Sequence, residues 1–191
     1  NLASEDNRWT GKALYHRTFE STEKEAPRTL NAYVLYSDLH WRWSISYLDI
    51  GAGYNPEVGF VPRVDYKRFN PDLGYRFFPK SNFINSHGPQ LEYELRWNET
   101  LGTTDRDIGL QYEVRFQSLA QFTLGYTNSY IYLFDDFDPT RTGGEPLLAG
   151  TDYTVDRYGF EFRSNPRQAF NFRLEGEAGE YFTGDIATLR S

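Results

Sequence analysis

The chain has 191 residues, which is the size of one domain. Its net charge of −7 and isoelectric point near 5.0 exclude the clustered basic surface that nucleic acid requires. It contains no cysteine, so disulfide frameworks, thiolate metal sites and cysteine nucleophiles are also excluded.

The predicted elements are β-strands, and they follow one another along the whole chain without an amphipathic helix between them. Each is a run of alternating apolar and polar side chains, the pattern of a strand that separates two different surroundings. An aromatic content of 18% also favours strands. The nine predicted strands cover roughly Gly11 to Glu20, Asn31 to Ser37, Trp41 to Ile50, Val64 to Phe78, Phe83 to Trp97, Asp105 to Gln117, Gln121 to Phe134, Tyr153 to Arg163 and Ala169 to Tyr181.

The connections between these strands predict an antiparallel meander with two unlike edges. Short turns are expected after the second, fourth, sixth and eighth predicted strands, and longer loops after the odd ones. In outer-membrane barrels the short turns are periplasmic and the long loops extracellular. The short turns lie near residues 38–40, 80–82, 118–120 and 164–167, and the long loops cover 21–28, 51–63, 98–104 and 135–151.

Strand length and aromatic placement favour a membrane barrel. Several predicted strands reach ten residues or more, whereas strands of globular proteins have about 5–6 and membrane strands about 9–11. Aromatic residues gather near strand ends, as at Trp41, Trp97 and Phe116, where barrels carry aromatic girdles. A mean hydropathy of −0.68 is compatible with this, because only alternate residues need be apolar. No apolar run of about 18 residues predicts a transmembrane helix.

The sequence therefore predicts an all-β fold: an antiparallel up-and-down meander that forms a transmembrane β-barrel or a partial barrel. Residues 1–191 are expected to form a single barrel segment of about eight to ten strands, with no second domain. Nine strands is an odd number, whereas bacterial single-chain barrels have even numbers. The chain also begins at Asn1 without Met or a signal peptide. We therefore expect a fragment of a larger barrel.

The alternation divides the strand residues into two predicted surfaces. Charged residues would line the lumen as paired structure, with mixed-sign rows pairing across strands, or would form a selectivity path for a polar or charged solute. The predicted lumen-lining residues are Arg42, Arg76, Glu92, Glu94, Arg96, Glu113, Arg115, Glu161, Arg163, Arg173 and Glu175. The predicted lipid-facing residues are Leu91, Tyr93, Leu95, Trp97, Ile108, Leu110, Tyr112, Val114, Phe116, Phe160, Phe162, Phe170 and Phe172.

The remaining candidates for chemistry are few. Asp135, Asp136 and Asp138 offer oxygen ligands for a hard cation such as Ca²⁺, but their spacing is not that of an EF-hand, and an acidic loop is usually solvated. His16, His40 and the Ser86–His87 pair do not assemble a nucleophile, base and orienting group by spacing. We expect no catalytic residue and no cofactor.

Four segments carry a resemblance to a known family. Tyr54 to Pro79, Ile84 to Pro89, Thr104 to Phe116 and Tyr132 to Thr140 resemble a family of uncharacterised bacterial outer-membrane β-barrel proteins, with Asn55 to Phe60 as the most specific block. Members of that family typically carry, before the barrel, a module like the family-9 carbohydrate-binding modules, which this chain lacks. The resemblance implies a place in the bacterial outer membrane and a link to carbohydrate binding or uptake through that module. It implies no catalytic residue.

The predicted function is that of an outer-membrane pore, an uptake component or a membrane scaffold. Its partners would be outer-membrane lipid and carbohydrate or another polar solute, with no nucleic acid. Two alternatives stay open at this point: a soluble ligand-binding β-sandwich or lipocalin-like barrel, and an outer-membrane barrel hydrolase.

Overall fold

The computed structural model describes residues 2–19, 27–55 and 63–191, and in these ranges the chain is all β. The strands form one antiparallel sheet whose order across the sheet is their order along the chain, which confirms the predicted up-and-down meander. They are β1 (Leu2–Ala3), β2 (Trp9–Arg17), β3 (Arg28–Ser37), β4 (Trp41–Ile50), β5 (Tyr66–Tyr75), β6 (Ile84–Asn98), β7 (Gly102–Phe116), β8 (Gln121–Tyr132), β9 (Asp152–Arg163), β10 (Arg173–Tyr181) and β11 (Gly184–Arg190). These ranges contain no helix long and apolar enough to cross a membrane.

The strand number within these ranges is eleven, rather than the predicted nine. The sequence pattern misses β1, which has only two residues, and β11, where Ala187 and Thr188 weaken the alternation and no aromatic residue marks the strand. β1 and β11 are the two edges of the sheet, and no ladder joins them in the described part of the chain, so the sheet is open. The predicted strand end at Glu20 lies outside the described residues.

The connections at the two ends of the strands differ less in length than the sequence predicts. The turns at 38–40 and 117–120 are short, as predicted, but residues 164–172 form a longer link because β10 begins only at Arg173. On the opposite edge residues 133–151 do form a long loop, whereas residues 99–101 form a tight turn because β6 and β7 both extend to meet it. The predicted loops over 21–28 and 51–63 lie partly outside the described residues. We call the end of the sheet that carries the 38–40 turn, where β3 ends and β4 begins, the short-turn edge. The opposite end of the strands is called the long-loop edge.

A proline stands inside β5, in the middle of the sheet, where a missing backbone N–H would normally break the ladder. The register places Pro71 opposite Tyr93 on β6. The side-chain amide of Asn70 donates to the backbone carbonyl of Tyr93 at 2.9 Å. This side chain therefore supplies the hydrogen bond that the proline cannot make.

The ladder between β6 and β7 has two register irregularities. One inserts Asn85 between Ile84 and Ser86, and the other inserts Thr104 of β7 opposite the Arg96–Trp97 step. Near the first, Gly88 lies so close to β5 that an added Cβ would meet the carbonyl oxygen of Tyr75 at 1.8 Å. Only glycine fits there without a shift of the backbone.

The sheet is a single layer without a conventional hydrophobic core. Among the described residues only Ile50, Ala120, Leu133 and Val155 are buried hydrophobic residues. The apolar side chains lie mostly on one face of the sheet, where nothing in the described chain covers them. The fold therefore presents two unlike surfaces rather than an inside and an outside.

Candidate functional site

The pairing register sorts the strand residues into two faces, since directly paired residues point to the same side. The polar face carries Glu92, Gln111, Thr123 and Gly159, and the apolar face carries their chain neighbours. The residues predicted to line a lumen lie on the polar face, except Arg76, which follows the end of β5. Those predicted to face lipid lie on the apolar face of the strands, except Phe170 and Phe172, which lie outside the strands.

Phe170 and Phe172 are not in a strand, contrary to the predicted strand from Ala169, because they belong to the link before β10. Phe172 nevertheless packs on the apolar face. Its ring lies 5.7 Å from that of Phe162 and 6.0 Å from that of Phe170.

Near the short-turn edge, charged residues of the polar face form two neighbouring rows of opposite sign. The row nearer the edge contains arginines from β7, β9 and β10, and the next row contains glutamates from the same three strands. The register aligns Arg115, Arg163 and Arg173 in one row, and Glu113, Glu161 and Glu175 in the other.

This arrangement pairs charges in a way that differs from the predicted one. Mixed-sign rows are expected to pair across strands, but on β7, β9 and β10 each row has a single sign, and much of the pairing runs along a strand, between residues two apart. On β11, by contrast, Arg190 lies directly opposite Glu175. Arg115 Nε lies 2.7 Å from Glu113, and Arg173 Nη2 lies 2.7 Å from Glu175. Cross-strand contacts then join the strands, with Arg173 Nη2 2.9 Å from Glu161, which also contacts Arg163.

A second group of charge pairs lies across β4 to β7. Half of its residues are absent from the predicted lumen-lining residues. Arg42 pairs with Asp72 at 3.8 Å, and Arg68 with Glu94 at 3.9 Å. Asp72 and Arg68 are not among the predicted residues, because the proline between them hides the alternation. Over the described strands the polar face is electrically balanced, with the cations Lys12, Arg42, Arg68, Arg96, Arg115, Arg157, Arg163, Arg173 and Arg190 against the anions Asp72, Glu92, Glu94, Asp105, Asp107, Glu113, Glu161, Glu175 and Glu177.

At the long-loop edge the polar face is covered by residues that precede β5 and follow β8. The guanidinium of Arg63 donates to Asp105 at 3.1 Å and to the Thr104 hydroxyl at 3.0 Å, and it lies 4.3 Å from the centre of the Phe134 ring. Thr104, the inserted residue of β7, is fully buried beneath it. Sequence spacing could not reveal this cluster, because Arg63 and Phe134 come from two separate connections and meet Thr104 and Asp105 of β7 only in the folded chain.

A second cluster covers the same end of the polar face over β9. The ring of Phe182 lies 5.4 Å from those of Phe137 and Tyr153, and Val155, next to Tyr153 on this face, is only 2% exposed. The long loop is thus folded against the sheet.

Two of the three aspartates considered as metal ligands, Asp136 and Asp138, accept hydrogen bonds within this long loop. Asp138 accepts hydrogen bonds from Thr140 and from the backbone amides of Arg141 and Gly143. The Thr140 hydroxyl and these amides hold the pKa of Asp138 below its usual value. Asp136 accepts from the amide of Ala149 at 2.8 Å. Over residues 2–19, 27–55 and 63–191, no group of three acidic or histidine side chains is placed to hold a metal ion.

Each of the three histidines has a hydrogen-bond partner in the described chain. His16 Nδ1 lies 3.1 Å from the Tyr54 hydroxyl, and His40 donates through Nδ1 to the carbonyl of Arg76 at 2.8 Å. His87 Nδ1 lies 2.5 Å from the Tyr112 hydroxyl. No histidine ring in the described chain hydrogen-bonds a serine hydroxyl or a carboxylate.

The apolar face is bounded by aromatic side chains toward the short-turn edge. The rings of Trp9 and Trp43 lie 5.2 Å apart, and those of Trp41 and Tyr75 lie 4.6 Å apart. Phe77 extends this group with a ring 4.7 Å from that of Tyr75. Aromatic residues therefore occupy the strand ends, as predicted.

Toward the long-loop edge the apolar face ends in polar residues, and this boundary runs diagonally across the sheet. One row of paired residues runs from Gly11 on β2 through Ile108 to Asp156 on β9. Counted from the short-turn edge, the first charged residue of the apolar face on β9 is Asp156, which lies in this row. On β2 the first charged residue is Arg17, which lies six residues beyond the row member Gly11. The boundary residues are Arg17, Arg28, Asp49, Lys67, Arg106, Asn128, Asp156 and Glu180.

The chain was also compared with known proteins, and it matches no family model, no curated protein and no solved structure.

Proposed function

We propose that this chain is part of the wall of a bacterial outer-membrane β-barrel, with the apolar face against lipid and the polar face toward a lumen. The observation that carries this proposal is the exposed apolar face, which crosses the sheet without a covering layer. Leu110, Leu124 and Tyr158 are 48%, 53% and 63% exposed in the middle of β7, β8 and β9. Exposed apolar surfaces of this extent mark contact with a membrane or a partner.

The height of the apolar band supports lipid over a protein partner. On β7 the band runs from Ile108 to Phe116, which is about 27 Å along the strand at ~3.4 Å per residue. With a strand tilt of about 35–45°, that length covers roughly 19–22 Å along the membrane normal, close to the apolar band of ~25 Å in outer-membrane barrels.

The diagonal boundary supports the same proposal. Between β2 and β9 the boundary shifts by six residues over seven strand steps. At ~3.4 Å per residue and ~4.8 Å per strand this is a slope of roughly 30°. Strands of membrane barrels tilt by about 35–45°, so a level membrane surface would cut such a sheet along a line of this kind.

The polar face supports a lumen with paired charges, as in a pore, an uptake component or a scaffold for other modules. The link to carbohydrate through a preceding module, implied by the family resemblance, belongs to the same proposal. The soluble β-sandwich or lipocalin-like barrel finds no support, because either would enclose the apolar face, and nothing in the described chain covers it. The hydrolase finds none either, because no histidine ring hydrogen-bonds a serine or threonine hydroxyl in the described chain.

Because the chain has no cysteine, single cysteines introduced at two neighbouring residues on opposite faces test this proposal directly. We expect Leu124→Cys in refolded proteoliposomes to resist a water-soluble maleimide, because its side chain would lie in lipid. Thr123→Cys should react, because it would face the lumen. Both should react equally after denaturation. Equal labelling of the two variants in folded, lipid-reconstituted protein would contradict the proposal.

A further inference from the structure

A trough of about 520 Å³ lies on the polar face across β7 to β11. Its volume falls within the ~300–1,000 Å³ of small-molecule sites. The trough lies between the two charged rows and the middle of the sheet. Its centre is formed by Gly125 and Gly159, which are directly paired.

The trough exists because these positions lack side chains. A Cβ added to Gly125 would have its nearest neighbours at 3.8 Å, and one added to Gly159 at 3.5 Å, which are ordinary contacts. Neither glycine has the positive φ that only glycine adopts easily. Larger residues would therefore fit, and they would fill the space.

The charged residues around the trough are already paired with one another. Arg157 lies 3.3 Å from Glu177, and Arg190 lies 3.6 Å from Glu175, which also contacts Arg173. A charged solute would have to compete with these pairs. Each charged residue of its lining thus has an oppositely charged partner, and the trough offers no unpaired charge of either sign.

The neutral polar residues of the trough, by contrast, have side-chain groups that can hydrogen-bond a solute. Their side chains make no hydrogen bond to any described residue, although each has donor and acceptor groups. An apolar ligand would leave these groups without water or a partner, which is costly. They are Gln111, Gln121, Thr123, Thr127 and Thr188.

We infer that the trough is a binding subsite for an uncharged solute rich in hydroxyl or amide groups. The inference rests on the proposed function, because it places the subsite in the barrel lumen. The paired charges form walls without a net preference for anions or cations, and the free hydroxyl and amide groups supply the hydrogen bonds.

The experiment uses Thr127→Cys in proteoliposomes and follows its labelling by a water-soluble maleimide. Glucose, gluconate and glucosamine serve as probes, because they share a carbon skeleton and differ in charge. At about twice its Kd, glucose should slow the labelling about threefold, because only the free protein reacts. Gluconate and glucosamine should slow it less. Asn31→Cys, on the polar face outside the trough, controls for general effects of the solutes.

Two added substitutions test the site itself. Gly159→Leu in the Thr127→Cys background should abolish protection by glucose, whereas Gly74→Leu, on the same face outside the trough, should preserve it. If Gly159→Leu does not fold, Gln111→Leu with Thr123→Val should weaken protection by removing hydrogen-bonding groups. The inference is overturned if the three probes protect equally, if glucose protects Asn31→Cys as well, or if the trough substitutions leave protection unchanged. Labelling of Leu124→Cys in the same vesicles would instead mean that the membrane assignment has failed.

Discussion

At the scale of single residues, Asn70 shows how the sheet accepts a proline in a central strand. Pro71 lies on the apolar face and has no N–H for the ladder with β6. The carbonyl of Tyr93 would lack a donor if Asn70 did not reach it. A side chain on the polar face thus completes a backbone ladder, and this part of the sheet depends on it.

We therefore expect Asn70→Leu to lower the free energy of unfolding by about 1–3 kcal/mol, the usual cost of a buried group left without a partner. Ser129→Ala, on the same face but without a side-chain hydrogen bond, should change it by less than about 0.5 kcal/mol. Equilibrium denaturation of both variants in lipid vesicles measures the difference. Equal stabilities would mean that water or a backbone shift supplies the missing bond.

At the scale of strands, the spacing of glutamate and arginine sets the charged rows. The sequences Glu113-Val-Arg115, Glu161-Phe-Arg163 and Arg173-Leu-Glu175 place each acid and base on one face, two residues apart. The order reverses in β10 because that strand runs in the opposite direction. Antiparallel pairing then aligns arginine with arginine and glutamate with glutamate.

Glu161 contacts two arginines, whereas Glu177 contacts one in the described chain, so their substitution should differ. We expect Glu161→Gln to lower the free energy of unfolding by about 1 kcal/mol, and Glu177→Gln by about 0.3 kcal/mol, since exposed pairs contribute little. Urea titration at low and high salt should show the difference shrinking as salt screens the charges. A larger effect for Glu177→Gln would rule out Glu161 as the centre of this network.

The sequence predicts the strands and their faces well where alternation is strong, as in β6, β7 and β9. It misses β11, where small residues blur the alternation, and it overextends β10, where Phe170 and Phe172 alternate correctly but lie in a link. It finds just over half of the charged strand residues of the polar face, and it misses Arg68 and Asp72 as well as Arg63, which lies outside the strands. The contacts of Arg63 depend on the inserted Thr104 and on connections that are distant in sequence, which periodicity cannot reveal.

At the scale of the whole molecule, a single sheet separates an apolar surface from a charge-balanced one. A soluble protein of this size would bury most of its large apolar side chains, but here they lie exposed along nearly every strand. An exposed apolar surface of this extent is typical of contact with a membrane or a partner.

The same substitution on two neighbouring residues tests this division. In lipid, Leu110→Arg should cost about 2–4 kcal/mol, because it would place a cation in the apolar middle of a membrane. Gln111→Arg, on the polar face, should cost under about 1 kcal/mol. Refolding titrations into vesicles compare the two. Similar costs would contradict the assignment of the faces.

The meander also determines how an error in assembly would spread. Each strand takes its orientation from the strand before it, so a one-residue slip at one ladder would invert the faces of every strand that follows. Two features in mid-chain oppose such a slip. The Asn70 side chain, beside Pro71, reaches the backbone carbonyl of Tyr93 in only one register. Only a glycine, Gly88, is small enough to lie against the backbone carbonyl of Tyr75. Together they fix the phase of β6, and through it the side of the sheet on which the apolar residues of β7 to β11 lie.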